Sequence, residues 1–465
     1  MLAQARARLV WPLLAALVLL TRLSHLDIVW VEEGYPTAAA IQMLAGKVLY
    51  KDFWFDKPPL FPAAYLLWGA STGVLMRLAG TAFVMLAAWL LYRFAKALWG
   101  EQEGLLAASL LVFSLTFWIP SAVMVLGPDL LMMVPHIVAV HCAWKKQALF
   151  SGLACGIALG LNVKAVFVVA LCGVLLLPEI LLFGFGLLAT SSIWIGYLAV
   201  AGALPGYWQQ VWVWGFLYSG KTFGATEGLA RTVSWAGFHA ALVVGTAVAL
   251  WKEKNWRLAL WLAVSFVAVC AGWRFFPRYY FHLLPVAVLL GARGLMLMPV
   301  GWLRLGTLAL LLIPAVRFGP RYVSLAADLG SNREHDWRDL AMSNDTRHAA
   351  AIIKSKPGDT ILVWGYRPDL FALTGLEAGS PFLDSQPLTG VIADRHLASS
   401  EPAAPELARA NRARLRATKP TWIADGLGNY NPQLAITNFA DLGGWLTAYK
   451  RVGETEGFVI WRRVE

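Results

Sequence analysis

Two adjacent carboxylates, Glu32 and Glu33, follow the first apolar stretch of the chain, and Asp56-Lys57-Pro58-Pro59 lies some twenty residues further on. Carboxylates beside apolar segments are costly to desolvate and are kept where they have a task. A hydroxyl is a poor nucleophile until its proton is removed, and a carboxylate within hydrogen-bond reach can remove it. Neighbouring residues on a helix point in different directions, so one base and one supporting acid are expected from the pair. A solvated loop is the plainer account of the same two residues. Pro58 and Pro59 stiffen the backbone after Lys57 and set the angle at which the chain enters the next helix. That holds the lysine where a phosphate would sit, although an interfacial lysine near lipid fits the spacing as well. Asp129, in Gly127-Pro128-Asp129, is either a helix N-cap or a second active carboxylate. Lys164 ends an apolar segment and reads as a snorkelled lysine or a phosphate contact. Arg278 opens another, in Arg278-Tyr279-Tyr280, and is either a snorkelled arginine in an aromatic belt or a guanidinium suited to bidentate phosphate binding.

Other patterns lead nowhere. Residues 215–222, GFLYSGKT, match a phosphate-binding loop letter for letter. They follow Trp208, Trp212 and Trp214 rather than a buried strand, so a nucleotide site is rejected. Lys221 is left as a possible lipid-phosphate contact. His136 and His141 are five apart and fall on different helix faces, so no shared metal is expected. The four cysteines lie in apolar segments and form no disulfide framework. Asn344-Asp345-Thr346 fits a glycan-acceptor pattern too short to carry weight.

The elements that must position these residues are mostly apolar. The chain has 465 residues, of which 58% are hydrophobic and 14% charged. That charge content is far below a soluble domain. Apolar segments near 9–28, 79–97, 104–120, 129–144, 148–164, 166–182, 184–204, 236–251, 257–273, 280–298 and 302–318 predict about eleven spans. Segment 60–76 is expected to lie in the interface, anchored by Tyr65 and Trp68. Gly152, Gly156 and Gly160 form a close-packing stripe on one helix. The first span follows Arg6 and Arg8 and has no cleavage site, so it is read as retained.

Basic residues gather at Arg6/Arg8, Arg93/Lys96, Lys145/Lys146, Lys252/Lys254/Arg257 and Arg293/Arg304. The alternate loops carry Glu32/Glu33, Asp56, Asp129 and the stretch 205–235. Positive loops mark the cytoplasmic side. The N-terminus is then cytoplasmic, and the acidic loops share the external face with the C-terminal region. The net charge of +11 is accounted for by these loops and by anionic membrane lipid, with no nucleic-acid partner. Residues 1–319 form the expected membrane domain, with an external loop at 29–60. Residues 320–465 alternate predicted helices (336–356, 367–374, 405–418) with strands (360–364, 421–424, 457–462), which is a small external α/β domain. It has no glycine-rich nucleotide fingerprint, so a scaffold or acceptor-guiding role is expected of it.

The set Glu32-Glu33-Gly34-Tyr35, Ala39, Gly46, Tyr50-Lys51-Asp52-Phe53, Asp56-Lys57-Pro58-Pro59-Leu60, Gly127-Pro128-Asp129, Lys164 and Arg278-Tyr279-Tyr280…Pro285 resembles the polyprenyl-phosphate-dependent membrane glycosyltransferases. Within these it is similar to the dolichyl-phosphate-mannose–protein mannosyltransferase superfamily, which includes the bacterial aminoarabinose transferases. The resemblance covers residues 10–300. It implies a GT-C fold, a plasma-membrane location, a polyprenyl-phosphate-linked sugar as donor and an envelope acceptor: glycolipid, polysaccharide or protein. It implies an inverting transfer with Glu32 as base and Asp129 as a second acid. Lys57, Lys164 and Arg278 would neutralise the departing phosphate, with Tyr35, Asp52, Asp56 and Tyr279 in support. The family carries Asp-Glu where this chain has Glu-Glu, which leaves Asp27 and Asp129 as alternative bases. Related families differ in their need for a divalent metal, and that question stays open. The competing class is a lipid or glycolipid transporter without chemistry. It would place its charges at mid-membrane rather than at span ends.

Overall fold

The computed structural model describes residues 2–219, 224–331 and 337–464. It divides into two compact units, each built from three chain segments.

The first unit comprises residues 1–26, 74–194 and 222–335, and the elements among its described residues are helices. Helices lie at Leu2–Leu23, Val74–Trp99, Glu101–Ser114, Pro128–Trp144, Ala148–Leu161, Val166–Leu175, Ile180–Val200, Ala225–Phe238, Ala240–Glu253, Trp256–Cys270, Leu284–Leu297, Trp302–Ala309 and Leu312–Ser331. Among the described residues three stretches are long and apolar enough to cross a membrane: Val74–Trp99, Leu177–Val200 and Trp302–Asp328. Ala225–Phe238 and Ala240–Glu253 pass that test as a pair bent by 88°. Other apolar helices have only 10–17 residues, and 14 residues rise about 21 Å against a hydrocarbon core of about 30 Å. The expected count of eleven is therefore not met by single unbroken helices. The expected span 166–182 shows why. Its helix stops at Leu175, a 3₁₀ turn at Leu177–Glu179 follows, and the next helix starts at Ile180. Pro178 has no amide hydrogen to carry the ladder across. The glycine stripe has a partner: a Cβ on Gly152 would lie 2.1 Å from the carbonyl oxygen of Phe183, and one on Gly156 would lie 2.8 Å from Thr190 Cβ. The helices Ala148–Leu161 and Ile180–Val200 thus cross backbone to backbone.

The second unit comprises residues 27–73, 195–221 and 336–465. Its sheet has the order β2-β1-β3-β5-β4, from β1 (Thr360–Trp364), β2 (Glu377–Ala378), β3 (Trp422–Asp425), β4 (Tyr449–Glu454) and β5 (Val459–Arg463). β1 runs parallel to β2 and β3, while β5 pairs antiparallel with β3 and β4. β1 and β3 are buried along nearly their whole length, as strands covered on both faces must be. β4 was not foreseen. Its burial pattern is mostly exposed, so it lacks the apolar run by which a strand is recognised in sequence.

One expectation for residues outside the sheet is revised. The stretch 205–235, read as a loop, is largely helical, at Leu204–Ser219 and Ala225–Phe238, with a π-helical turn at Trp208–Val213. The rejected phosphate-loop pattern accordingly falls partly on the helix Trp214–Ser219, and Lys221 lies outside the described residues. Segment 60–76 holds only the helix Leu60–Tyr65 and a 3₁₀ turn at Leu66–Trp68 before the next helix starts at Val74, too short to cross.

The helix Val31–Leu44 carries the carboxylate pair and is seated by close packing. A Cβ on Gly34 would lie 2.7 Å from the backbone nitrogen and 2.9 Å from Cα of Asp369. Gly34 is therefore the residue that lets this helix meet Asp369–Thr374. Gln42 ties the other end to the sheet edge, its Oε1 accepting from Ala378 N at 2.8 Å and from Lys47 Nζ at 2.9 Å. Replacing Gly34 by Ala forces two backbones apart and is expected to destabilise the chain by about 1–3 kcal/mol, measured by thermal unfolding in detergent. Unchanged stability would show that the crossing can loosen freely.

Candidate active site

The second unit gathers one set of charged residues. Tyr35 is buried and stacks on Phe55, with centroids 4.6 Å apart and planes 20° off parallel. Its hydroxyl accepts from Asp56 N at 3.3 Å. The side chain of Asp56 is only 6% exposed. One carboxylate oxygen, Oδ2, lies 3.0 Å from Lys57 Nζ. The other, Oδ1, is buried and has no hydrogen-bond partner among the described residues. Lys57 is more open, at 38% exposed, with its ammonium 5.9 Å from the ring of Tyr218.

The loop carrying Asp56 is held at several points. Tyr50, at φ 66°, donates its hydroxyl to Lys57 O at 2.5 Å. Gln210, in the π-helical turn, donates to Tyr50 O at 2.8 Å and accepts from Phe55 N at 2.9 Å. π-Helical turns recur at functional sites. Trp54 N donates to Pro381 O at 2.7 Å, which joins this loop to the segment Pro381–Gln386.

That segment brings Asp384, which the sequence reading missed. Asp384 is buried and accepts from Gln386 N at 2.7 Å. Read in sequence, Asp384-Ser-Gln-Pro is an ordinary turn signal, and nothing marks it as near Asp56. Tyr366 was also missed. It follows β1 at its carboxyl end, the edge of an open α/β sheet at which ligands bind, and its ring lies 5.9 Å from Tyr35. Burial, with Asp56 adding its charge, pushes the Asp384 carboxyl up to about 7. Burial, again aided by Asp56, also raises the phenols of Tyr35 and Tyr366 well above the usual tyrosine range. Both stay protonated donors. Glu32 is half-buried and acts on Tyr366 through its charge, while Glu33 is fully buried. Asp52 is exposed, and its carboxylate accepts from Val48 N at 2.7 Å, closing a turn.

The first unit gathers a second set. Asp129 lies in the first turn of its helix, but the N-cap is Gly127. Its carboxylate does not cap. Its Oδ1 accepts from Asn162 Nδ2 at 2.9 Å and lies 3.5 Å from His282 Nε2, in the field of Arg278 and Lys164. Asn162 also accepts from Lys164 N at 2.9 Å. Lys164 donates Nζ to Ala268 O at 2.9 Å and sits over the Tyr279 ring, 3.3 Å from its centroid. The side chain of Arg278 passes the α-carbon of Gly127, where an added Cβ would meet its Cδ at 3.8 Å. Asp129, Lys164, Arg278 and Tyr279 are therefore brought together. Asn162 and His282, which the sequence reading left without a role, complete the set.

The approach to Asp129 is fixed from behind. Arg22, buried, donates to Met124 O at 2.7 Å and Val123 O at 2.8 Å, and Arg77, also buried, donates to His25 O at 3.2 Å. The two histidines weighed for metal have separate partners. His136 accepts from Trp261 Nε1 at 3.0 Å, and His141 stacks on Phe94. Among the described residues no three His, Cys, Asp or Glu side chains come together as metal ligands.

No protein-family model and no curated protein matches the sequence. Solved structures do match in fold. ArnT from Cupriavidus metallidurans bound to undecaprenyl phosphate superposes with a TM-score of 0.63 at 13% identity, over 98% of this chain and 97% of that one. Its apo form gives 0.63 at 14%, over 99% and 98%. The Archaeoglobus fulgidus oligosaccharyltransferase in the apo form gives 0.50 at 10%, over 95% and 72%. At these identities the likeness establishes the fold, a helical GT-C-type membrane architecture with a C-terminal α/β domain.

Asp384 has a consequence for stability. Its folded value of about 7 lies above the ordinary 3.8, so the folded chain keeps a proton that the unfolded chain releases. Stability then falls as pH rises from near 4 through about 7. Asp384→Asn is expected to remove that loss, so its unfolding temperature drops less than wild type between about pH 5 and about pH 8. Equal drops would show that Asp384 is ionised throughout.

Proposed function

We propose, from the GT-C-type fold and its two charged clusters, that the chain is a membrane glycosyltransferase. It moves a hexosyl or pentosyl group from a polyprenyl-phosphate donor to an envelope acceptor, with inversion. The observation that carries the reading is the division of charge. One cluster offers carboxylates, Glu32 and Asp56, and the other pairs a buried carboxylate, Asp129, with Lys164, Arg278 and His282. The fold likeness to an ArnT structure holding undecaprenyl phosphate supports the choice of donor.

In this reading Glu32 takes the proton of the acceptor hydroxyl as the hydroxyl oxygen bonds to the anomeric carbon. The bond from that carbon to the phosphate oxygen breaks, and polyprenyl phosphate leaves with the electron pair. Lys57, Lys164 and Arg278 stabilise the negative charge that develops on it. Cations fixed before the reaction cost no reorganisation during it. Asp129 and Asn162 orient the Lys164 segment. The N-terminus is cytoplasmic, and the region 320–465 stands on the external face with the acceptor.

The test uses full-length chain in detergent, supplied with undecaprenyl-phosphate-linked sugars and an envelope extract. Glu32→Gln is expected to lower turnover about 10²–10⁴-fold. Arg278→Ala is expected to lower it about 10²–10³-fold, with Glu406→Gln, an exposed position in the α/β domain, near wild type. Native turnover by Glu32→Gln would remove the base from Glu32. No turnover in detergent, with lipid movement across vesicles, would favour the transporter.

A further inference from the structure

We infer that Asp56 and Asp384, flanked by Tyr35 and Tyr366, form a hydroxyl-recognition subsite for the sugar or its acceptor, in which one carboxyl donates and the other accepts. This rests on the transferase reading above and adds to it a residue from the C-terminal domain.

The geometry comes first. Asp56 and Asp384 are both buried, at 6% exposure for the Asp56 side chain and 2% for Asp384. Their segments are joined by the Trp54–Pro381 backbone hydrogen bond at 2.7 Å. The Asp384 segment is fixed in turn by Ser385, whose Oγ accepts from Gly365 N at 2.9 Å, so Asp384 and Tyr366 are set by the same turn. The groups that act on Asp384 are Asp56, Lys57 and Gln386, and those that act on Tyr366 are Asp56, Glu32, Asp384 and Tyr218. Among these groups Lys57 is the one that carries positive charge.

Charge arithmetic then selects the protonation pattern. Two ionised carboxylates against one lysine would leave a net negative charge out of water, which is costly. One proton on the pair removes it. Lys57 sits 3.0 Å from Asp56 Oδ2, while burial favours the neutral form of Asp384, so the proton is assigned to Asp384. The result is asymmetric. Asp56 Oδ1, buried and without a partner among the described residues, is an acceptor waiting for a donor. The phenols of Tyr35 and Tyr366 and the carboxyl of Asp384 are donors. A mixed set of donors and acceptors beside aromatic faces is what a polyhydroxylated ring requires. Ionising Asp384 would release its proton to solvent, set a second negative charge near Asp56 and remove one of the donors.

The experiment reads the proton directly. Infrared difference spectra of the full-length chain in detergent, recorded across a pH series, are expected to show a carboxylic-acid carbonyl band that disappears near pH 7 and is absent from Asp384→Asn. In Asp56→Asn the same band should persist, but its loss should move to lower pH, because the charge that raises it has gone. Turnover of undecaprenyl-phosphate-linked sugar by wild type should decline above about pH 7, and Asp384→Asn should flatten that decline whatever its level of turnover. A band unchanged in Asp384→Asn overturns the inference, and so does a decline that survives the substitution. A chain that turns over no lipid-phosphate sugar, yet shows the band and its shift, defeats the transferase reading while leaving the protonated Asp384 established.

Discussion

Charge held out of water is the constraint on which the rest of this structure depends. A buried carboxylate must be met by a cation, by hydrogen-bond donors or by a proton. All three answers are present. Asp129 is met by Asn162 and His282 within the field of Lys164 and Arg278. Asp56 is met on one oxygen by Lys57. Asp384 is met by a backbone amide and by the proton that burial favours. Each answer fixes several chain segments at once, so the clusters organise their units as well as equip them.

Backbone contacts supply the rigidity such clusters need. Gly34 lets the helix bearing Glu32 and Glu33 touch the backbone of Asp369, and Gln210 grips the Asp56 loop at two points. Arg22 holds the carbonyls that lead into Gly127-Pro128-Asp129. A misplacement of an ångström in a reacting group can cost orders of magnitude in rate. These contacts are therefore as much a part of the site as the charges they hold.

Much of this was legible in the sequence, and the limits are physical. Apolar runs marked the helices because burial in lipid or protein demands them. They did not mark where a ladder breaks, as at Leu177–Glu179, because apolar character continues across the break. β1 and β3 stood out as short apolar runs, whereas exposed β4 did not. The residues Glu32, Lys57, Asp129, Lys164 and Arg278 could be singled out as candidates because charges are rare in such surroundings. Asp384, Asn162, His282, Arg22 and Arg77 were missed because their meaning comes from tertiary neighbours far away in the chain. An aspartate in a polar turn looks ordinary until its segment is seen against Trp54.

The central claim is that this fold breaks a sugar–phosphate bond. The most direct measurement is the amount of free undecaprenyl phosphate released when purified chain meets undecaprenyl-phosphate-linked sugar and acceptor in detergent, set against the sugar gained by the acceptor. The account predicts release and gain in equal amounts. Sugar that stays on its lipid, with no undecaprenyl phosphate set free under any donor and acceptor tried, would contradict it.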